Sequence, residues 1–430
     1  MVLPRMKAGP TVALRSNKPR RQRSQPFRLR TSAYLLALAL LPGCGGSSPE
    51  AQHLLLVSID GFRWDYLQRA HTPHLDSLAA AGVRAEALIG AFPTKTYPNH
   101  YTLATGLYPE NHGIVANTMF DPVLNDTFRL ADRHTVRDGQ WYGGEPIWVT
   151  AEKYGVKSAS LFWPGTEAVI KGRRPTYWQP YDHELAPAEV VGQALTWLDL
   201  PPAQRPNFIS LYFHLVDDAG HRHPDSAWVQ AAVERIDSTL GLLFAGLAAR
   251  GLAASTNIII TSDHGMTGVD TNRIIFLDDY VDPALLGVID WAPALALRPA
   301  TEFQDAVYSG LKGAHPQLHI YRRDEVPARY HYTSHYRIPP IIGITDLGWQ
   351  VTTRARFRAN PDGFTGGAHG YDPAYPDMQA IFIASGPGFK RGLLTPPLEN
   401  IHLYELMCRL LGVPPAPNDG SLERVSLLLR

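Results

Sequence analysis

Short apolar runs that end on acids and histidines constrain this chain more than any other feature. Residues 53–59, 208–213, 257–261 and 379–384 are continuous stretches of mostly branched and aromatic side chains. Runs of this length, apolar at every position, predict strands buried on both faces, as in a parallel sheet. Helical patterns lie between them. In 226–250, Val229, Val233, Ile236, Leu240, Leu243 and Leu247 recur every three or four residues, and Gly251 follows as a stop. Residues 73–82, 99–105 and 187–198 supply further helices. The alternation predicts the α/β class, with a mainly parallel central sheet flanked by helices. Two stretches fit less well. Residues 117–180 are rich in Gly, Pro and Trp and read as loop-dominated, and about 270–354 reads as a small inserted α+β segment rather than a separate domain.

In open α/β sheets, chemistry gathers beyond the carboxyl ends of the strands. Asp60-Gly61 closes the first run, and Ser262-Asp263-His264-Gly265 closes the third. The second continues through Asp217-Asp218-Ala219-Gly220-His221, and Gly366-Gly367-Ala368-His369-Gly370 precedes the last. One Asp or His in such a place is an ordinary turn residue. Recurrence at four strand ends points to a metal. Mixed carboxylate and imidazole donors suit Zn2+ better than Mg2+ or Ca2+. Six donors exceed one tetrahedral ion, which predicts two, roughly 3.5–4 Å apart, clamping an in-line displacement. Thr96 stands at the mouth of a helix beginning near Pro98, as either an N-cap or a nucleophile. The positive helix end is too weak to ionise a hydroxyl, whereas direct coordination to zinc is strong enough.

The chain has 430 residues with 40 Lys+Arg against 40 Asp+Glu. Nine of the bases, and none of the acids, fall in residues 1–32, so the remainder is acidic by nine charges. The apolar run 33–41 is too short to span a bilayer but fits a secretory leader. Residues 1–44 therefore read as a signal peptide, and Leu41-Pro42-Gly43-Cys44 resembles a lipobox through which Cys44 carries a lipid anchor. Export to the periplasm is expected, free or lipid-anchored. The other cysteine, Cys408, sits in an apolar helical pattern and reads as a buried small hydrophobe, so no disulfide or Cys-based zinc site is expected.

The chain resembles the bacterial members of the nucleotide pyrophosphatase/phosphodiesterase family, in the alkaline phosphatase superfamily. The segments that carry the likeness are Ser58-Ile59-Asp60-Gly61, Thr94-Lys95-Thr96-Tyr97-Pro98-Asn99-His100, Asn117-Thr118-Met119-Phe120-Asp121, Asp217-Asp218-Ala219-Gly220-His221, Ser262-Asp263-His264-Gly265 and Gly367-Ala368-His369-Gly370. They occur in the family's order over essentially everything after residue 50. The resemblance implies an alkaline-phosphatase-like fold, with residues 45–430 as one catalytic domain. It implies two Zn2+ per chain, one on Asp60, Asp263, His264 and Thr96, the other on Asp217, His221 and His369. It makes Thr96 the nucleophile, forming a phosphothreonine-type intermediate that water hydrolyses, and Asn117 a donor to a phosphoryl oxygen. Tyr97, Tyr212 and Tyr181 would form an aromatic slot for a nucleobase. The substrates would be nucleotide phosphodiesters and pyrophosphates, releasing nucleoside 5'-monophosphates, and the enzyme a monomer.

Rival readings are a phosphomonoesterase or a lipid- or choline-headgroup diesterase of the same superfamily. An inactive zinc-stabilised binding protein is disfavoured because Thr96 and every donor are present. A sulfatase would need a C-x-P-x-R segment, which is absent. Nucleic-acid binding as the main role conflicts with the acidic balance beyond the leader.

Overall fold

The first strand, β1 (His53–Ile59), is buried along its whole length. Its alternating side chains divide between two cores, with Leu54 and Leu56 in one and Leu55, Val57 and Ile59 in the other. A period of two that is apolar on both faces is what a strand between two helical layers requires. The computed structural model describes residues 53–430 except Ala292. The signal peptide and the lipidation of Cys44 lie outside the described residues.

Seven further strands complete the central sheet: β2 (Val83–Ala85), β3 (Ser158–Leu161), β4 (Tyr177–Gln179), β5 (Phe208–Phe213), β6 (Thr256–Thr261), β7 (Phe382–Ser385) and β8 (Leu393–Thr395). Their order is β8-β2-β7-β6-β1-β5-β3-β4. β1 lies parallel to both β5 and β6, with Val57 opposite Leu211 on one side and Ile260 on the other. β7 is the exception, antiparallel to both β6 and β2. That corrects the reading of 379–384 as a parallel strand, since an apolar run encodes burial and not direction. It also begins later, because Ala380 instead bridges Arg63 and Leu88.

Residues 117–180 were expected to be loop-dominated, yet they supply β3, β4 and the helix Ile147–Lys153. β3 reads Ser-Ala-Ser-Leu and carries no run of branched residues. Its strand state comes from pairing between β5 and β4, a case of tertiary context overriding propensity.

Helix α1 (Pro73–Ala81) is followed by α2 (Thr96–Thr105), α3 (Pro187–Leu198), α4 (Leu215–Arg222) and α5 (Ala227–Ala249). Along α5 the Val229-to-Leu247 stripe is buried, and Ser226 caps the helix by accepting from Trp228 N–H. Each such aliphatic side chain contributes about 1.5–3 kcal/mol on burial, so this stripe fixes α5 against the sheet. α2 begins three residues earlier than the sequence pattern suggests. Pro98 is its third residue, a position whose N–H has no intrahelical partner, so proline costs nothing there. On the same face of the sheet the helix Leu403–Leu411 buries Cys408, as its pattern predicts.

Within 270–354 a four-stranded antiparallel sheet runs in the order Val288–Asp290, Ala294–Leu297, Ile341–Thr345, Leu318–Arg322. Leu295, Leu297, Ile320 and Ile341 pack there with Val307 and Leu311 of the helix Gln304–Leu311. Ile342 and Ile344 face the opposite way and join the main core. Lys95 Nζ donates to Asp290 Oδ2 at 2.6 Å, which ties this sheet to the turn that carries Thr96.

Candidate active site

The carboxyl ends of β1, β5 and β6, the three central strands, converge on one point. Asp60 follows β1 directly, and Asp263 and His264 follow β6. Beyond β5, α4 carries Asp217 and His221 four residues apart, hence on one helical face. Gly61 has φ 69°. A Cβ there would stand 2.9 Å from Asp217 Cα, so glycine is what lets the ends of β1 and β5 approach. His369 is delivered by the strand Gly366–Ala368, paired with Thr267–Val269.

The three imidazoles share one arrangement. Nδ1 of His264 donates to Gly265 O, Nδ1 of His221 to Gly367 O, and Nδ1 of His369 to Thr94 O, each at 2.9 Å. A carbonyl can only accept, so each Nδ1 carries hydrogen and, in the neutral ring, each Nε2 presents its lone pair. Those Nε2 atoms face carboxylates. His264 Nε2 lies 3.0 Å from Asp263 and 3.4 Å from Asp60. His221 Nε2 is 3.4 Å and His369 Nε2 3.9 Å from Asp217.

Asp60 Oδ1, Asp217 Oδ1 and Asp263 Oδ2 are buried without a hydrogen-bond partner. Burial, with the negative charges of Asp263 and Asp217, pushes Asp60 well above the ordinary carboxylate range. Burial raises Asp217 too. Asp263 is also buried, but His264 and His100 outweigh this and hold it low. Burial and the neighbouring His264 and His221 push His369 well below the usual imidazole value. Buried carboxylate oxygens facing imidazole Nε2 atoms repel one another unless a proton or a metal cation lies between them, and Asp263 raises the pKa of the buried His264. The donor set therefore fits divalent ions, and the chain's own hydrogen bonds pre-aim it.

Thr96 is the first residue of α2. Lys95 occupies the N-cap position and its side chain makes no cap bond, so the N-cap reading of Thr96 does not hold. Thr96 Oγ1 lies 3.4 Å from His264 Nε2. Asn117 Oδ1 accepts from Tyr97 N–H at 2.9 Å, which leaves its amide NH2 to donate. Tyr212 Oη donates to Asp60 Oδ2 at 2.6 Å and so orients that carboxylate. A cavity of about 550 Å3 opens above these groups. Thr96, Asn117, Tyr97, Tyr181 and Tyr212 line it, as do Asp60, Asp217, His221 and His369. Asp263 and His264 lie buried beneath its floor. Tyr181 meets Phe162 edge-on at 5.4 Å, and Tyr97 meets Phe128 at 5.3 Å.

Several contributors escaped sequence reasoning. His100 bonds Ser58 Oγ at 2.8 Å through Nε2 and Thr96 O at 2.9 Å through Nδ1, so both its nitrogens are engaged in holding the turn. Its spacing of four from Thr96 on one helix was the available signal. Phe162 and Trp163 line the cavity just beyond β3, where Pro164-Gly165 marks a strand end. Arg133 is the one Lys or Arg in the described wall, and it pairs with Glu167.

The type I phosphodiesterase / nucleotide pyrophosphatase family model matches residues 54–372. The chain belongs to that family. It is 40% identical over 400 residues to human ectonucleotide pyrophosphatase/phosphodiesterase family member 5, covering 92% of this chain and 82% of that one. It is 39% identical over 403 residues to the bis(5'-adenosyl)-triphosphatase ENPP4 of Bos taurus, covering 92% and 86%. A solved structure of murine ectonucleotide pyrophosphatase/phosphodiesterase 5, an inactive threonine-to-alanine variant in complex with AMP, superposes with TM-score 0.84 at 38% identity, covering 88% of this chain and all of that one. The fold is thus the alkaline-phosphatase-like α/β arrangement, and the protein is a phosphoric diester hydrolase of a metal-dependent family. The relatives named here are mammalian, so the likeness reaches the family and not a bacterial branch of it.

Proposed function

We propose that this hydrolase is an exported, two-zinc nucleotide pyrophosphatase/phosphodiesterase that releases nucleoside 5'-monophosphates through a covalent threonine intermediate. The observation that carries the reading is the set of partnerless carboxylate oxygens facing three Nε2 lone pairs beside Thr96. Asp60, Asp263, His264 and Thr96 Oγ would hold one Zn2+, and Asp217, His221 and His369 the other. When bound, the ions supply Lewis acidity to the phosphoryl oxygens and lower the pKa of the Thr96 hydroxyl.

The chain's residues do the rest. Thr96 Oγ attacks phosphorus, forming the Oγ–P bond as the bond to the leaving oxygen breaks. Water then cleaves Oγ–P, restoring the hydroxyl and freeing the nucleotide. Asn117, fixed by Tyr97 N–H, donates to a phosphoryl oxygen. Tyr97, Tyr181 and Tyr212 border the space where a base would stack, worth roughly 1–3 kcal/mol per base. Support comes from the murine relative, inactive as a threonine-to-alanine variant and bound to AMP. Lys95 is engaged by Asp290, which leaves it no part in neutralising a phosphate monoester dianion. The leader supports a periplasmic enzyme, free or anchored through Cys44; the rest of the reading takes it as a monomer whose residues 45–430 form one catalytic domain with an insertion at about 270–354.

Comparing turnover of a chromogenic thymidine 5'-monophosphate ester with the matching phosphate monoester tests the reading. The diester is expected to react far faster, and equal or reversed rates overturn it. A choline-headgroup diester that reacts faster still overturns the nucleotide assignment. Thr96→Ala is expected to cost roughly a thousand-fold or more in turnover while both ions stay bound.

A further inference from the structure

We propose that His183, His214 and Asp218 form a third cation site in the wall of the same cavity, taking a borderline transition dication such as Zn2+. His214 Nδ1 lies 2.9 Å from Asp218 Oδ2, and His183 Nε2 lies 3.3 Å from the same oxygen. The three candidate ligand atoms are all within 4.8 Å of one another. His214 follows β5 directly, and Asp218 is four residues on, one turn into α4, so the two share a face. His183 arrives from the loop before α3. Its Nδ1 is 2.9 Å from Tyr181 Oη, a contact that fixes the ring, and the His183 and His214 ring centroids lie 3.9 Å apart with their planes tilted by 32°.

Two imidazoles and one carboxylate are a set that borderline dications favour over Mg2+ or Ca2+. Three protein ligands leave a coordination position open to water or to a substrate oxygen. The side chains are 47%, 21% and 30% exposed for His183, His214 and Asp218, so an ion can reach them from solvent. All three line the cavity. Asp217 turns the other way, toward His221 and His369, so adjacent residues on α4 serve separate sites. Arg133 is paired with Glu167, and a dication here would give this wall an unneutralised positive charge facing the substrate. The inference goes beyond the two-ion reading and does not depend on it.

The same contacts would also suit an ion pair with protonated histidine, and a zinc titration separates the two. Metal-free full-length protein is titrated with Zn2+ by calorimetry and with a competing chromogenic chelator, alongside His183→Ala, His183→Ala/His214→Ala and His264→Ala/His369→Ala. The wild type is expected to show three binding events. The His183→Ala/His214→Ala protein should lose one of them, and His183→Ala should weaken that event by tenfold or more. Coincident titrations of wild type and the His183 variants overturn the third site. His264→Ala/His369→Ala should retain the event that the His183 variants lose. If it instead retains every event, the two-ion reading fails and the third site stands. Because His183 is half-exposed on a loop, its single substitution keeps the test open if the double variant does not fold.

Discussion

The two halves of the carboxylate–imidazole cluster meet solvent very differently. Side chains of Asp60, Asp263 and His264 are 0–2% exposed, whereas His221 is 45%, Asp217 16% and His369 9% exposed. The deep half is built directly onto the ends of β1 and β6, where Gly61 N–H donates to Asp263 Oδ1 at 3.3 Å and Phe62 N–H to Ser262 Oγ at 3.0 Å. The outer half hangs on the short helix α4 and a glycine-rich strand. The deep groups are thus part of the core as well as of the site, and the outer half opens to solvent through His221. An ion in the deep half should be inseparable from folding, and one in the outer half should exchange.

The strongest challenge to this contrast is a pair of ligand deletions. Asp263→Ala should lose turnover by about a thousand-fold or more, lower the melting temperature, and not recover with added Zn2+. His221→Ala should weaken one ion by at least about 10–100-fold, keep the wild-type melting temperature, and recover activity in excess Zn2+. Equal melting temperatures for the two variants would erase the distinction.

A smaller effect is expected in the pH dependence of the chelated protein. Asp60 is raised when folded by burial and by its negative neighbours. A raised group binds its proton more tightly in the folded state, so its stability contribution is present at low pH and is lost as pH rises through the folded value. Chelated protein should therefore melt lower as pH rises from mildly acid to neutral, and Asp60→Asn should flatten that slope. Asp263, held low by His264 and His100 against its burial, loses its contribution in the opposite direction, as pH falls. An unchanged slope in Asp60→Asn would show that Asp60 does not carry the strain.

The smallest effect expected is at the junction of the halves. Gly61→Ala places a Cβ on an already left-handed backbone, against Asp217, costing about 1–3 kcal/mol. Its effect should be a lower melting temperature together with weaker binding of the outer ion, because Asp217 is the group displaced. Loss of stability without change in ion affinity would place the strain elsewhere.

What could be read in advance was whatever the chain writes locally. Asp60, Asp263 and His264 follow apolar runs whose burial is evident, and α5 shows its stripe and its stop. His100 showed only its spacing of four from Thr96, which does not distinguish a histidine that orders a turn from one that fills a core. β3 was illegible because its strand state is imposed by its neighbours. The aromatic wall at Phe162, which has φ 70°, depends on where that strand ends.

The sequence by itself determined the α/β class, the strand ends that bear ligands, and the residue types that set the chemistry, since each follows from periodicity and donor identity. Tertiary structure alone decided which of those groups meet, and how they face. The antiparallel course of β7, the engagement of Lys95 with Asp290, and the gathering of His183 with His214 and Asp218 all join residues distant in sequence or set a direction that hydrophobic pattern does not encode. Contacts of that kind depend on how strands and loops are placed in space, which local composition leaves free.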